Sequence, residues 1–380
     1  MEEYRAEASL WLHLLAAKGV DQLVFMNRPS SIKTDVRLPA TLFRCASVTR
    51  LYLGFWRFPD TATLPRATAA FPHLRELGLC TIIMGNADLA FLFDKCPVLE
   101  NLLIVGGRTF LRVPVAGNSL RCVQVCASIV EEITVVSACN LERLLLWEAW
   151  GKGDMVSRGC VINMRCRIKI GHALKLRILG FLVPGMHELE ISNTIIKAGT
   201  KASPRTTMPS VHMLGVQVKK LGDRKQAGMM PSFLRCFPNI ETLYVQSEND
   251  DMPNGKLDLK FWQDAGPIEC VKRHIKKMVL REFRGQRGEL DFLKFIAEHA
   301  EVLEQMVVVT TSGSADRLSA SLRAFLASAK WASEGCKLMI SRSPFHQEGT
   351  AWCYQGAFDF SNQDPFDLSS PRKAVSFLGV

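Results

Sequence analysis

Residues 71–79 read F-P-H-L-R-E-L-G-L, and residues 96–104 read C-P-V-L-E-N-L-L-I. Leu74, Leu77 and Leu79 therefore recur as Leu99, Leu102 and Ile104, one L-x-x-L-x-L pattern repeated 25 residues later. Alternation over the end of each copy is the period of a strand. Between the copies Leu89, Leu92, Phe93 and Cys96 fall at i, i+3, i+4 and i+7, the spacing of one helix face. Asn86 is placed to cap that helix, and Pro97 disfavours its continuation. The unit is strand, turn, helix, turn. Its apolar face is too small to be buried without a stacked copy.

The same grammar runs along the chain. It returns at Cys45-Val48-Leu51-Leu53, Leu120-Val123-Val125, Leu141-Leu144-Leu146, Leu176-Leu179-Phe181, Met186-Leu189-Ile191, Val211-Leu214-Val216 and Ile240-Leu243-Val245. This is the signature of a leucine-rich repeat, in which stacked units share one continuous core. The predicted fold class is α/β, a curved solenoid with a mainly parallel sheet. Copy intervals run from ten to thirty-five residues, so the repeats are irregular. Between 108 and 137 and between 168 and 191, short turns or second strands are expected in place of helices.

Around this solenoid, placed at 20–262, the ends read differently. Residues 1–19 predict a capping helix with Ala8, Trp11, Leu12 and Leu15 on one face, closed by Gly19. Residues 263–345 alternate strands with helices. One helix turns Leu293, Ile296, Ala297 and Ala300 inward, and a second does so with Leu318, Leu322, Phe325 and Ala329. Such βαβ units extend a parallel sheet. Residues 346–380 read as an irregular tail.

The composition, 48% hydrophobic and 22% charged, is that of a folded protein. The first residues, M-E-E-Y-R-A-E, place acids where a signal peptide needs positive charge, and no run approaches the roughly 20 apolar residues of a membrane helix. The expected location is intracellular, in cytoplasm, nucleus or both. The twelve cysteines form no C-x-x-C pair and sit among core residues, so they read as reduced, buried thiols. The net charge of +10 is concentrated in residues 152–177, 197–225 and 272–287. Basic stretches make nucleic acid the alternative partner. None of them interleaves the aromatics that stack bases, which favours solvated faces.

Chemistry is harder to find. Gly106-Gly107 lacks the frame of a phosphate-cradling loop. His172 and His187 are the acid–base candidates, the latter beside Glu188 and Glu190. Asp359, Asp364 and Asp367 fall in the tail, where nothing is expected to fix their geometry. No nucleophile–base pair, cofactor site or metal set stands out, and the chain is expected not to be an enzyme. Binding is the stronger expectation. Side chains flanking the central leucine of each L-x-x-L-x-L point away from the core, which assigns Arg50, Tyr52, Glu76, Asn101, Arg143, Glu188, Glu190, Thr242, Tyr244 and Lys277 to a concave partner-binding face. Gly78, Leu103, Leu145 and Val279 share that face, so part of it is apolar and suits a partner or a covering tail.

Several of these stretches, read in order, resemble one known group. They are Leu38 to Trp56 (L-P-A-T-L-F-R-C-A-S-V-T-R-L-Y-L-G-F-W), F-P-H-L-R-E-L-G-L, C-P-V-L-E-N-L, Ile168 to Ile196 and C-F-P-N-I-E-T-L. The block with F-R-G-Q-R-G-E-L-D-F-L-K-F-I and A-E-V-L-E-Q-M completes the set. The chain resembles the plant F-box/leucine-rich-repeat proteins that carry a C-terminal FBD domain, with residues 263–345 as the FBD. The resemblance implies a substrate receptor of a cullin-type ubiquitin ligase whose repeats hold a target protein. An F-box is a three-helix module ahead of the repeats, and only one helix fits before the first strand here. The ligase-docking part is therefore expected to be missing, and the ligase adaptor is a partner only if an F-box is supplied upstream.

Overall fold

Each L-x-x-L-x-L segment turns alternate side chains to one side of a strand, so its neighbours in the stack can share that side as core. The computed structural model describes residues 2–27, 36–61, 70–147, 165–218, 221, 227–247, 259–310, 315–342 and 354–367. The chain divides into two compact units, Met1–Lys175 and Leu176–Val380.

In the first unit the strands are β1 (Gln22–Met26), β2 (Arg50–Gly54), β3 (Glu76–Cys80), β4 (Asn101–Val105), β5 (Leu111–Val115), β6 (Cys122–Cys126), β7 (Val130–Ser137), β8 (Arg143–Trp147) and β9 (Cys166–His172). β1, β2, β3, β4, β6 and β8 pair in parallel without a register shift. Leu51, Leu77, Leu102, Val123 and Leu144 thus form one buried row, and Leu53, Leu79, Ile104, Val125 and Leu146 the next. The β3–β4 repeat is closed by the helix Asn86–Lys95, with Leu89 and Leu92 buried. Later repeats use β5, β7 and β9 instead, paired in parallel as a second sheet. These are the second strands expected from the sequence.

A leucine-rich repeat must bend sharply after each strand, and this chain does so with left-handed backbone. Phe55, Thr81, Gly106 and Ala127 have φ between 44° and 65°. Their amides donate in turn to the carbonyls of Cys80, Val105, Cys126 and Trp147, which carries the hydrogen-bond ladder past the strand ends. At the start of the chain the helix Glu2–Ala17 buries Ala8 and Leu12. Trp11, expected on the same inward face, is 54% exposed and points away from the core. The side of the helix that packs is marked by Ser9, against Thr41, and by the Leu12 carbonyl, which accepts from the Cys45 thiol.

The second unit contains β10 (Ile178–Leu182), β11 (His187–Ile191), β12 (Thr194–Ile195), β13 (Met213–Val218), β14 (Thr242–Ser247), β15 (Lys277–Phe283), β16 (Gln305–Thr310) and β17 (Lys337–Arg342). β10, β13, β14, β15, β16 and β17 pair in parallel, so the FBD block continues the sheet of this unit. The helix Arg287–His299 follows β15 and buries Leu293, Ile296 and Ala297, and Ala300 caps it from a buried position. Glu289 closes its first turn by accepting from the amides of Gln286 and Arg284, both at 3.0 Å. In the helix Ala315–Ala327 it is Leu322 and Leu326 that are buried, whereas Phe325 is only half-buried.

Three expectations are corrected in this unit. Between Leu179 and Leu182 the register shifts by a bulge, so Leu182 rather than Phe181 pairs with Val216. Phe181 turns to the opposite side of the sheet, over Gly215, where a Cβ would lie 3.1 Å from its ring. The copy Met186-Leu189-Ile191 is not a strand of the parallel sheet. It forms β11, which turns back antiparallel through Ser192 and Asn193 (φ 46° and 66°) to pair with β12. In the described part of the tail, 354–367, the geometry is fixed: Tyr354–Phe358 is helical, and Phe366 is buried.

Candidate protein-recognition site

In the first unit, parallel pairing aligns Gln22, Arg50, Glu76, Asn101, Cys122 and Arg143 in one row. Beside it runs Val24, Tyr52, Gly78, Leu103, Gln124 and Leu145. The Tyr52 ring lies flat over Gly78, where any Cβ would collide with it, and the Tyr52 hydroxyl donates to a carboxylate oxygen of Glu76. Arg50 is exposed, Tyr52 and Glu76 are half-buried, and Val24 is 63% exposed. Further along the same rows Asn101, Leu103, Gln124 and Leu145 are buried and Arg143 is 4% exposed. The open part of this face is therefore its β1–β3 end, a pre-set aromatic beside a cation and an anion.

In the second unit, Thr242 lies opposite Lys277 across β14 and β15, and Tyr244 and Lys277 meet this chain's own tail. Tyr244 is 1% exposed. Its hydroxyl donates to Oδ2 of Asp364 at 2.7 Å, and the same oxygen accepts from Nζ of Lys277 at 3.1 Å. The Phe366 ring packs edge-on against Phe181 (centroids 4.9 Å apart) and Tyr244 (5.4 Å). The Arg281 guanidinium stacks 5.0 Å from the Tyr244 ring and donates to the Phe366 carbonyl. Burial first, and then the charge of Asp364, pushes the Tyr244 phenol well above its ordinary range, so it remains a donor. Burial also lowers the Arg281 pKa.

Glu188 and Glu190 lie on β11 of the hairpin, half-buried and outside the parallel sheet, so they do not join these rows. Their L-x-L spacing is identical in either setting; only the Ser192–Asn193 turn tells them apart. His187 is buried, and its Nδ1 accepts from the Val183 amide at 3.1 Å, which makes it part of the β10–β11 turn. Asp364, expected to lack fixed geometry, is held by two donors. Among the described residues no group of three or more His, Cys, Asp or Glu is placed to hold a metal. Eight of the ten described cysteines are buried as free thiols.

Of the basic stretches, residues 152–164, 219–220 and 222–225 lie outside the described residues. In 272–287, Lys272, Arg273, Lys276, Lys277, Arg284 and Arg287 each pair with a carboxylate, and Arg281 is engaged by the tail. Lys169 pairs with Glu132 at 2.9 Å. Among the described residues no helix is long and apolar enough to cross a membrane.

Arg281 and Phe366 were not singled out in the sequence, and Phe181 was read only as an inward repeat position. The available signal was apolar Val279 at an outward position, which calls for a cover. The segment that supplies it, Asp364-Pro365-Phe366, combines a charge, a rigid residue and a ring in a stretch otherwise rich in turn formers.

The family described as FBD-associated F-box protein At5g56370, LRR repeats, matches residues 8–245. The FBD family matches residues 263–308. Neither the curated proteins nor the solved structures contain a significant match.

Proposed function

The chain belongs to the leucine-rich-repeat family of FBD-associated F-box proteins, and on that premise we propose that it is a non-catalytic recognition scaffold, the target-holding part of a cullin-type ubiquitin-ligase receptor. Leucine-rich repeats and FBD domains are protein-interaction modules, and neither matched region is itself a ligase-docking module. The role assigned to residues 8–308 is therefore recognition of a target protein.

The observation that carries this reading is the open β1–β3 face. Tyr52 is fixed by Glu76 and by the glycine beneath it, next to Arg50 and Val24 on paired strands. Side chains held on rigid strands lose little entropy when a partner docks. Tyr and Arg are the residue types that most often dominate such interfaces. Of the expected face, this reading keeps Arg50, Tyr52 and Glu76 as first contacts; Asn101 and Arg143 support them from buried positions in the same row. Tyr244 and Lys277 become available only when the tail leaves.

The test is the double variant Arg50→Ala, Tyr52→Ala in the full chain. Target-protein binding is expected to weaken at least tenfold while the thermal melt is retained. Undiminished binding by a well-folded double variant would contradict the placement.

A further inference from the structure

We propose that the sheet face around Tyr244 is a recognition site for an extended peptide bearing an acidic residue two positions ahead of an aromatic one, and that Asp364-Pro365-Phe366 occupies it in cis. The proposal rests on the reading of the chain as a protein-recognition scaffold and names the chemistry of a ligand.

Three features of the bound segment are read by side chains from three strands. The carboxylate is read by the Tyr244 hydroxyl and the Lys277 ammonium, from β14 and β15. The ring is read by Phe181 from β10 and by Tyr244, both edge-on. The main chain is read by Arg281, which donates to the Phe366 carbonyl while its guanidinium covers the Tyr244 ring. Charge-assisted hydrogen bonds set orientation, and a buried aromatic pocket supplies affinity. Nothing in this set requires the ligand to be covalently attached. Any segment with the same acid, spacing and ring presents the same groups.

The attached segment is also an incomplete ligand. On the sheet side, Nη1 of Arg281 and Oε1 of Gln246 are buried without a hydrogen-bond partner among the described residues. Buried polar atoms left unpaired are costly, so a ligand that reached them would bind more tightly than the tail does. Beyond the covered part the face reopens. Val307 and Met339 continue the row of Tyr244 and Val279, and Met339 is 52% exposed, with Gln305 and Lys337 exposed alongside. A peptide longer than the tail segment has rigid sheet to continue onto. Tethering gives the cis segment an effective concentration of about millimolar, so a free ligand must outcompete it.

The test uses the full chain and a fluorescein-labelled peptide of sequence S-N-Q-D-P-F-D, with S-N-Q-N-P-A-D as control, read by fluorescence anisotropy. The Asp364→Asn, Phe366→Ala chain is expected to bind the probe at least tenfold more tightly than the wild-type chain. Adding Lys277→Ala should return that affinity to the wild-type level, and the control peptide should bind none of the chains. Asp364→Asn alone, which keeps the ring packed, should bind with intermediate affinity and serves if the double variant fails to fold. Equal probe binding by wild-type and both variants, or binding indifferent to Lys277→Ala, would overturn the site. A target protein that still docks through Arg50 and Tyr52 in that case would leave the scaffold reading standing.

Discussion

The hydroxyl of Tyr244 donates to Oδ2 of Asp364 at 2.7 Å, joining the sheet of the second unit to a residue 120 positions further along the chain. Tyr244→Phe removes that donor and leaves the carboxylate to Lys277 alone. Urea denaturation of the variant should show a loss of about 1.5–3 kcal/mol, the range for a hydrogen bond to a charged group. Tail residues 354–367 should meanwhile become more accessible to protease. An unchanged midpoint with unchanged tail protection would show that the contact adds nothing in solution.

Ala127 is exposed and held at φ 44°, in the left-handed turn after β6. An L-residue there costs about 1–2 kcal/mol relative to the right-handed conformation, a penalty glycine avoids. Ala127→Gly, which weakens most structured positions, is expected to leave stability unchanged or raise it by up to about 1 kcal/mol. Chemical denaturation decides; a loss greater than about 0.5 kcal/mol would refute the turn's role.

Leu144 is fully buried in the row formed with Val123, Leu102 and Leu77. Leu144→Ala should cost about 2–5 kcal/mol, the sum of lost burial and a residual cavity. The same truncation at Leu174, exposed between repeats, should change stability by less than about 0.5 kcal/mol.

Burial pushes the thiols of Cys96, Cys122, Cys166, Cys236 and Cys270 up to about 12. Their folded pKa values thus lie above the unfolded value of about 8.5. The stability this represents is fully present below pH ~8.5 and is lost as pH rises toward 12. Melting temperature should therefore fall steadily over that alkaline interval. At neutral pH these five thiols should resist a thiol reagent until the chain unfolds, while exposed Cys139 reacts at once.

The L-x-x-L-x-L spacing made most of the fold legible, because one residue period fixes both strand and inward face. Leu77, Leu79, Leu102, Ile104, Leu144 and Leu243 are all buried as that period requires. It failed where two structures share the period. At Phe181 a bulge shifts the inward position by one residue, and at Glu188 and Glu190 an antiparallel hairpin alternates just as a parallel strand does. The proposed recognition face was legible as a set of outward positions, yet not as open or covered. Whether Tyr244 meets solvent or Phe366 is decided by a tail 120 residues away, a distance over which no local pattern carries information.

Site-specific photocrosslinking tests the recognition role most directly. A benzoylphenylalanine is placed in turn at Arg50, at Tyr52 and at Asp94, an exposed position on the helix Asn86–Lys95. Positions 50 and 52 should each crosslink one and the same target protein, and position 94 should not. Equal capture from position 94, or capture from that position alone, would contradict a scaffold that holds its target on the β1–β3 face.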